Sequence, residues 1–448
     1  MRLACFSPLP PSTSGIAAYT AELLPGLRAR VGVVDVFVDR PPQPGESGVW
    51  NAHDFVWKHR REPYDVVVYQ LGNAACHDYM WGYLFRYPGL VVLHDAQLHQ
   101  ARALQLTRRH PPRPDDYVAE FLANHPDASP DLGRLVAAGL DGGLYQRWPM
   151  VRLVVESARL VAVHNDRVRA MLQAAYPDAR VASIEMGVAD PLDTPGGAAA
   201  VDEAAARFRA AQGIPADAVV VAAFGGLTPE KRIEPLLRAV SAIRDRVPAL
   251  HVLLAGAPAA YYDVMEDVAQ LGLSGLVHVA GFVPDHALPA AMRAADICCA
   301  LRWPTNRETS ASWLRCLGAA RPTLITDLAH LTDVPALDPR TWRPATRYDS
   351  APFAVAIDVL DEQHLLEVAL VRLAEDAELR EELGRAARAW WERHHRLEPM
   401  AEAYEALVTR AAGLAAPSPA LPAHLLDDWS GRARDLATDL DLDLDWLR

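Results

Sequence analysis

Residues 218–240 read AVVVAAFGGLTPEKRIEPLLRAV. An apolar run, Ala218–Gly225, stops at the pair Gly225-Gly226 and turns through Thr228-Pro229. The chain then enters a stretch whose apolar residues recur at helical spacing. The run shows no polar alternation, the pattern of a strand covered on both faces. Strand, glycine turn and helix in that order form the repeating unit of a parallel α/β sheet. The turn also carries Lys231. Lys58 and Lys231 are the only lysines of the chain, among 44 Lys+Arg. A glycine-rich loop with a lysine at a helix start suits an anionic ligand, because backbone N–H groups point outward there and the helix dipole adds positive potential. No G-x-x-x-x-G-K-[ST] is present, so this is not a Walker loop. Taken alone, the stretch also fits a solvated Lys-Arg pair on a first helical turn.

The same unit recurs in both directions. Upstream, the strand candidates are Arg2–Phe6, Val33–Val38, Asp65–Gln70, Gly89–Asp95, Leu160–Asn165 and Val181–Ile184, with amphipathic segments such as Ala17–Ala29 and Val168–Ala175 between some of them. Downstream, Ala218–Gly225 is followed by Ala249–Gly256, Leu276–Gly281, Asp296–Leu301 and Pro322–Asp327. These alternate with helical stretches at Pro235–Arg246, Ala259–Leu271, Leu288–Ala294 and Ser310–Ala320. The expectation is an α/β protein of two doubly wound, Rossmann-like parallel-sheet domains facing each other across a cleft, with ligands beyond the carboxyl ends of the strands.

The expected domains are 1–190, a linker at 191–212, and 213–398. PLDTPGGAAAVD (Pro191–Asp202) reads as the linker from its Pro, Gly and small residues. Roughly Gln97–Pro149 has no clear strand and reads as an irregular helical insertion. Glu362–Ala412 is a long helix pattern with a break expected at Pro399, and 399–412 is expected to cross back to the first domain. Residues 413–448 read as a Pro/Ala linker and a poorly ordered acidic tail.

Bulk composition narrows the function. The 448 residues carry a formal net charge of -13, which argues against a nucleic-acid binder. The five cysteines are irregularly spaced, so a reducing cytoplasm is expected rather than a disulfide framework. No apolar run is long enough for an integral membrane segment, and the N-terminal apolar part is too short for a signal peptide.

A second stretch sharpens the chemistry. In LRWPTNRETSASWLRCLGAARP (Leu301–Pro322) a strand leads to a loop with Arg302, Asn306, Arg307 and Glu308, and ETSAS opens a helix. Free N–H groups at Thr309 and Ser310 make a second anion cradle. A carboxylate beside it repels phosphate and suits hydroxyls. Phosphate next to hydroxyls describes a sugar phosphate.

Four stretches together resemble the retaining GT-B glycosyltransferases of family 4: SPLPPSTSGIAAYTAELLPGL (Ser7–Leu27), YQLGNAACHDYMWGYLFRYPGLVVLHDAQLH (Tyr69–His99), FGGLTPEKR (Phe224–Arg232) and the Leu301–Pro322 stretch. The resemblance covers most of the chain. It implies transfer of a hexosyl unit from a nucleotide-diphosphate sugar, UDP- or GDP-linked, to a saccharide or other glycoconjugate hydroxyl, with no cofactor and no metal. His94, Lys231 and Glu308 would be the catalytic residues, with Asp95 behind His94. Gly15, Gly225, Gly226, Lys231, Arg232, Arg302, Glu308, Thr309, Ser310 and Cys316 would hold the donor.

The sequence also departs from the family pattern. Gly226 stands where the family often has arginine, Arg307 and Ala311 where it has glycine, and Cys316 where the second glutamate of E-x7-E binds ribose. Those changes leave room for a non-catalytic nucleotide-binding or partner subunit, or for a sugar-nucleotide epimerase. His94, Asp95 and His99 could also be read as metal ligands, and Trp303 and Trp313 as sugar-stacking or merely packed side chains.

Overall fold

The computed structural model describes residues 1–140, 143–344, 349–427 and 436–442. The chain divides into two compact units. One comprises Met1–Ala21, Leu27–Ser183 and the chain from Tyr404 onward; the other comprises Glu22–Gly26 and Ile184–Ala403.

The first unit holds β1 (Arg2–Phe6), β2 (Val33–Val38), β3 (Val49–Asn51), β4 (Val66–Leu71), β5 (Leu90–Leu93), β6 (Leu160–Val163) and β7 (Val181–Ser183). Their order is β3-β2-β1-β4-β5-β6-β7, and every pairing is parallel. The Val- and Leu-rich runs make this possible, since β4 and β5 are buried along their whole length. The sheet changes winding direction between β1 and β4, so the loops after these strands diverge and leave a crevice there. Sequence reading found six of the strands. It missed β3, whose three residues are too few to show a period.

The second unit holds β8 (Val219–Phe224), β9 (Leu250–Ala255), β10 (Val277–Val279), β11 (Ile297–Ala300), β12 (Thr323–Thr326), β13 (Ala336–Asp338), β14 (Arg343–Pro344) and β15 (Ala354–Ile357). The order is β10-β9-β8-β11-β12-β15-β13-β14, parallel except for the last pair. Its winding reverses between β8 and β11. The two loops that carried the sequence argument, 225–232 and 301–310, leave these two neighbouring strands.

Two sequence expectations meet a different structure. The linker stretch is helical from Gly197 to Ala211, and this helix packs on Leu288–Ala294 within the second unit. Its alanine run is a strong helix former, which outweighs the glycines at its start. The break expected at Pro399 falls just before it, at His395-Arg396, and Pro399 sits in the first turn of Leu397–Ala412, where a missing N–H costs nothing. A second interruption, not expected, falls at Asp376, whose side chain accepts from Leu379 N at 3.0 Å and caps Ala377–His394.

The insertion is helical, as His99–Thr107, Pro114–Asn124, Pro130–Ala137 and Leu144–Arg147. Positions 141–142 in it, and 428–435 and 443–448 of the acidic tail, lie outside the described residues. Among the described residues no helix is long and apolar enough to cross a membrane.

Candidate active site

β8 ends at Phe224, and the backbone turns at Gly225 with φ +83°, a conformation L side chains rarely adopt. A Cβ at Gly225 would fall 2.6 Å from Lys231 Nζ, and one at Gly256 would fall 2.1 Å from Gly225 O. These glycines let the end of β9 and the lysine press against the turn. Pro229–Lys231 then form a single 3-10 turn, and Arg232 takes φ 57° before the α-helix begins at Ile233. The expected helix start near Pro229 is therefore a tighter preliminary turn. That turn folds the Lys231 ammonium back to donate to Phe224 O.

Burial pulls the Lys231 pKa down to about 7; Arg302 pushes the same way, and Cys316 and Glu308 oppose them. Arg232 faces elsewhere. Its Nε donates to Glu362 Oε1 at 3.0 Å, and it does not line the cavity described below.

β11 leads into the second loop. Arg302 N donates to Thr326 Oγ1 at 2.8 Å, fixing the exit from the sheet. Glu308 is held on three sides: Oε2 accepts from Thr305 Oγ1 and Asn306 N, both at 2.9 Å, and Oε1 pairs with Arg302 Nε at 2.7 Å. Arg307 has φ 61°, so the position where the family has glycine does adopt a left-handed backbone. Ser310 is the N-cap of helix Ala311–Gly318, its Oγ accepting from Trp313 N at 3.3 Å. The first helical amides consequently face the loop.

These parts surround one cavity, open at its mouth. Lys231, Arg302, Glu308, Thr309, Ser310 and Cys316 all line it. Cys316 is buried there, with its thiol against Cys298. Trp313 is packed, its Nε1 donating to Thr323 Oγ1 at 3.0 Å, while Trp303 is largely exposed.

The cavity also holds Thr305, Ser312 and His330, which sequence reading did not select. His330 is buried beside Glu308 and hydrogen-bonds its backbone. Burial lowers the His330 pKa; Arg307 lowers it too, and Glu308 raises it. Only its spacing after β12 could have flagged it.

The other two expected site residues belong to the first unit. Gly15 opens helix Gly15–Val31 beyond β1; Ser14 caps it, and a Cβ at Gly15 would touch nothing within 4 Å. His94 follows β5 and is buried, with Nε2 at 2.8 Å from Gln70 Oε1. Burial, then His164 and His77, hold its pKa well below the ordinary imidazole value. Asp95 Oδ2 accepts from Asn73 N at 2.7 Å, and His99 Nε2 meets Tyr117 Oη at 2.6 Å. Gln70, rather than Asp95, is thus the residue seen to orient His94. Among the described residues no group of three or more His, Cys, Asp or Glu could hold a metal ion.

Comparison with known proteins covers the region that carries these loops. Residues 218–360 match a family model described as glycosyl transferases group 1. The D-inositol 3-phosphate glycosyltransferase of Saccharomonospora viridis is 35% identical over 161 residues, which is 33% of this chain and 35% of that protein. The match thus spans about a third of that relative's length.

Among solved structures, sucrose-phosphate synthase from Thermosynechococcus elongatus is similar over 92% of this chain and 98% of its own, with TM-score 0.62 at 17% identity. WaaG, a glycosyltransferase involved in lipopolysaccharide biosynthesis, matches over 91% and 99%, with TM-score 0.61 at 15% identity. HepE from Anabaena, solved with UDP-glucose, matches over 92% and 100%, with TM-score 0.53 at 14% identity. At such identities the likeness speaks for the fold, two parallel-sheet α/β domains of the GT-B kind.

Proposed function

We propose, from the match of residues 218–360 to the group 1 glycosyl transferases, that this chain is a retaining hexosyltransferase. It moves a hexosyl unit from a nucleotide-diphosphate sugar to a hydroxyl of a saccharide or other glycoconjugate. The observation that carries the reading is the convergence of Lys231, Glu308 and the capped start of helix Ala311–Gly318 on one cavity at the switch point of the second sheet.

Departure of a nucleoside diphosphate leaves negative charge on the β-phosphate. An ammonium and helix-start amides in a partly dehydrated cavity stabilise it electrostatically. Lys231 supplies the point charge and follows the phosphate through bond cleavage. Thr309, Ser310 and the first helical amides supply fixed dipoles. An ionised carboxylate has about four lone-pair sites, and three contacts hold Glu308. The remaining capacity suits a hydroxyl of the donor sugar.

In a retaining transfer of this kind the leaving phosphate itself accepts the proton of the attacking hydroxyl, so no protein base is assigned. UDP-glucose is the first donor to try, because a fold relative was solved with it. The catalytic role of His94, like the donor roles of Gly15, Gly225, Gly226, Arg232 and Cys316, belongs to the proposal. Arg232 has the least support, being tied to Glu362.

A second reading, nucleotide binding without transfer, draws on Cys316, a thiol where a ribose-binding carboxylate is expected. Nucleotide release from UDP-, GDP-, ADP- and dTDP-sugars, with and without a panel of saccharide acceptors, separates the readings. Acceptor-dependent release supports transfer. Release without acceptor dependence points to other chemistry, and binding without release supports the second reading.

A further inference from the structure

β4 ends in Gln70-Leu71, and Gln70 is fully buried. Its side-chain amide is the middle of a chain of hydrogen bonds. Oε1 lies 2.8 Å from His94 Nε2, and Nε2 lies 3.0 Å from the hydroxyl of Tyr404. That hydroxyl is 2.7 Å from the hydroxyl of Tyr19. Tyr19 on helix Gly15–Val31, Gln70 and His94 at the ends of β4 and β5, and Tyr404 on helix Leu397–Ala412 all fall within the first unit. Tyr404 and Tyr19 are themselves buried. The amide is satisfied at both ends, and in the structure it turns its nitrogen to the tyrosine and its oxygen to the histidine. The Tyr404 hydroxyl is also 3.2 Å from Oε1, so the shorter contact gives Nε2 to the tyrosine and leaves Oε1 for the histidine.

A carbonyl oxygen only accepts, so His94 donates through Nε2. The lone pair of the neutral ring is then on Nδ1. Nδ1 has no hydrogen-bond partner among the described residues, and it is not among the buried atoms lacking one, so it keeps access to solvent. The ring plane is fixed as well: the edge of Tyr19 stands 4.7 Å from it and the His164 ring 4.8 Å, centroid to centroid.

We propose that Gln70, held by Tyr404 and Tyr19, is a positioning residue that fixes His94 as the Nε2–H tautomer, so that Nδ1 accepts a hydrogen bond from a substrate hydroxyl. The role of that hydroxyl rests on the glycosyl-transfer reading; the tautomer does not. Burial keeps the ring neutral, which preserves the acceptor.

The test is nitrogen NMR of the free full-length protein labelled in its histidines, with His94→Asn identifying the signal. The expected spectrum shows a protonated Nε2 and a bare Nδ1 for His94. Gln70→Glu keeps an accepting oxygen and keeps that signature. Gln70→Met removes it and releases the ring to a mixture of tautomers; Tyr404→Phe, which leaves Gln70 in place, does so partially.

With a donor and acceptor that support turnover, Gln70→Met lowers kcat by roughly 100-fold, the scale of a misplaced reacting group, with KM little changed. Gln70→Glu restores most of it. An Nδ1–H tautomer in the unaltered protein, or an unchanged His94 signal in Gln70→Met, overturns the proposal. Absence of turnover with every substrate would instead sink the transfer reading, while the spectrum still decides the tautomer.

Discussion

Lys231 and Arg232 are neighbours in sequence with opposite surroundings. The left-handed backbone at Arg232 sends its guanidinium to Glu362, and the turn before it sends the lysine into the cavity. A lysine with a pKa of about 7 is half charged near neutrality. A bound diphosphate favours the ammonium and raises that pKa. Binding above pH 7 therefore takes up a proton, and affinity falls as pH rises, by up to about tenfold per unit. Calorimetry in buffers of different ionisation heat should show this uptake at pH 8 and its loss in Lys231→Met. Equal proton counts in both proteins would contradict it. In the unliganded protein, the depressed lysine makes stability rise from pH 7 toward 10.5, because the unfolded chain binds the extra proton over that range. Lys231→Ala is expected to lower kcat by about 100-fold, the usual scale for one group stabilising transition-state charge.

The lysine and Glu308 were legible in the sequence because their motifs are local. The Arg232–Glu362 pair was not, since its partners lie far apart in the chain. The contact of Gln70 with His94 and the place of His330 in the cavity become visible only when strands bring their residues together.

At the scale of elements, the two loops depend on how they are capped and turned. Ser310→Ala removes the N-cap of helix Ala311–Gly318 and should cost about 1 kcal/mol, read as a lower denaturant midpoint together with weaker nucleotide binding. Arg307 adopts φ 61° with a bulky side chain. Arg307→Gly should therefore be neutral or stabilise by up to about 1 kcal/mol, and a clear loss of stability would show that its side chain matters more than its backbone. The buried strands were readable because uninterrupted Val and Leu runs have little alternative. The helix at Gly197–Ala211 was misread as linker because small residues carry no amphipathic stripe. Strands β13 and β14 were missed because Asp338, Arg343 and Pro344 in them read as loop residues, and β15 was missed although it is as long as β11 and β12.

At the scale of the molecule, each unit owns a parallel sheet and a core, and the chain from Tyr404 onward returns to the first unit. Tyr404, Val408 and Ala411 are fully buried. Deleting everything from 404 onward should therefore destabilise the first unit and release Gln70 and His94, while the loops of the second unit proposed to bind the nucleotide are retained. Nucleotide affinity that survives the deletion while turnover is lost would agree with this division; an unchanged melting profile would not.

The central claim is that the 218–360 region binds a nucleotide sugar through Lys231 and Glu308. Calorimetric titration of the full chain with UDP-glucose and its GDP-, ADP- and dTDP-linked counterparts tests it most directly, alongside Lys231→Ala and Glu308→Gln. The expected result is saturable binding of at least one of them, lost or weakened at least tenfold in both variants, as removal of a charge-assisted contact requires. No binding by any of the four, or equal binding in the variants, would contradict the account.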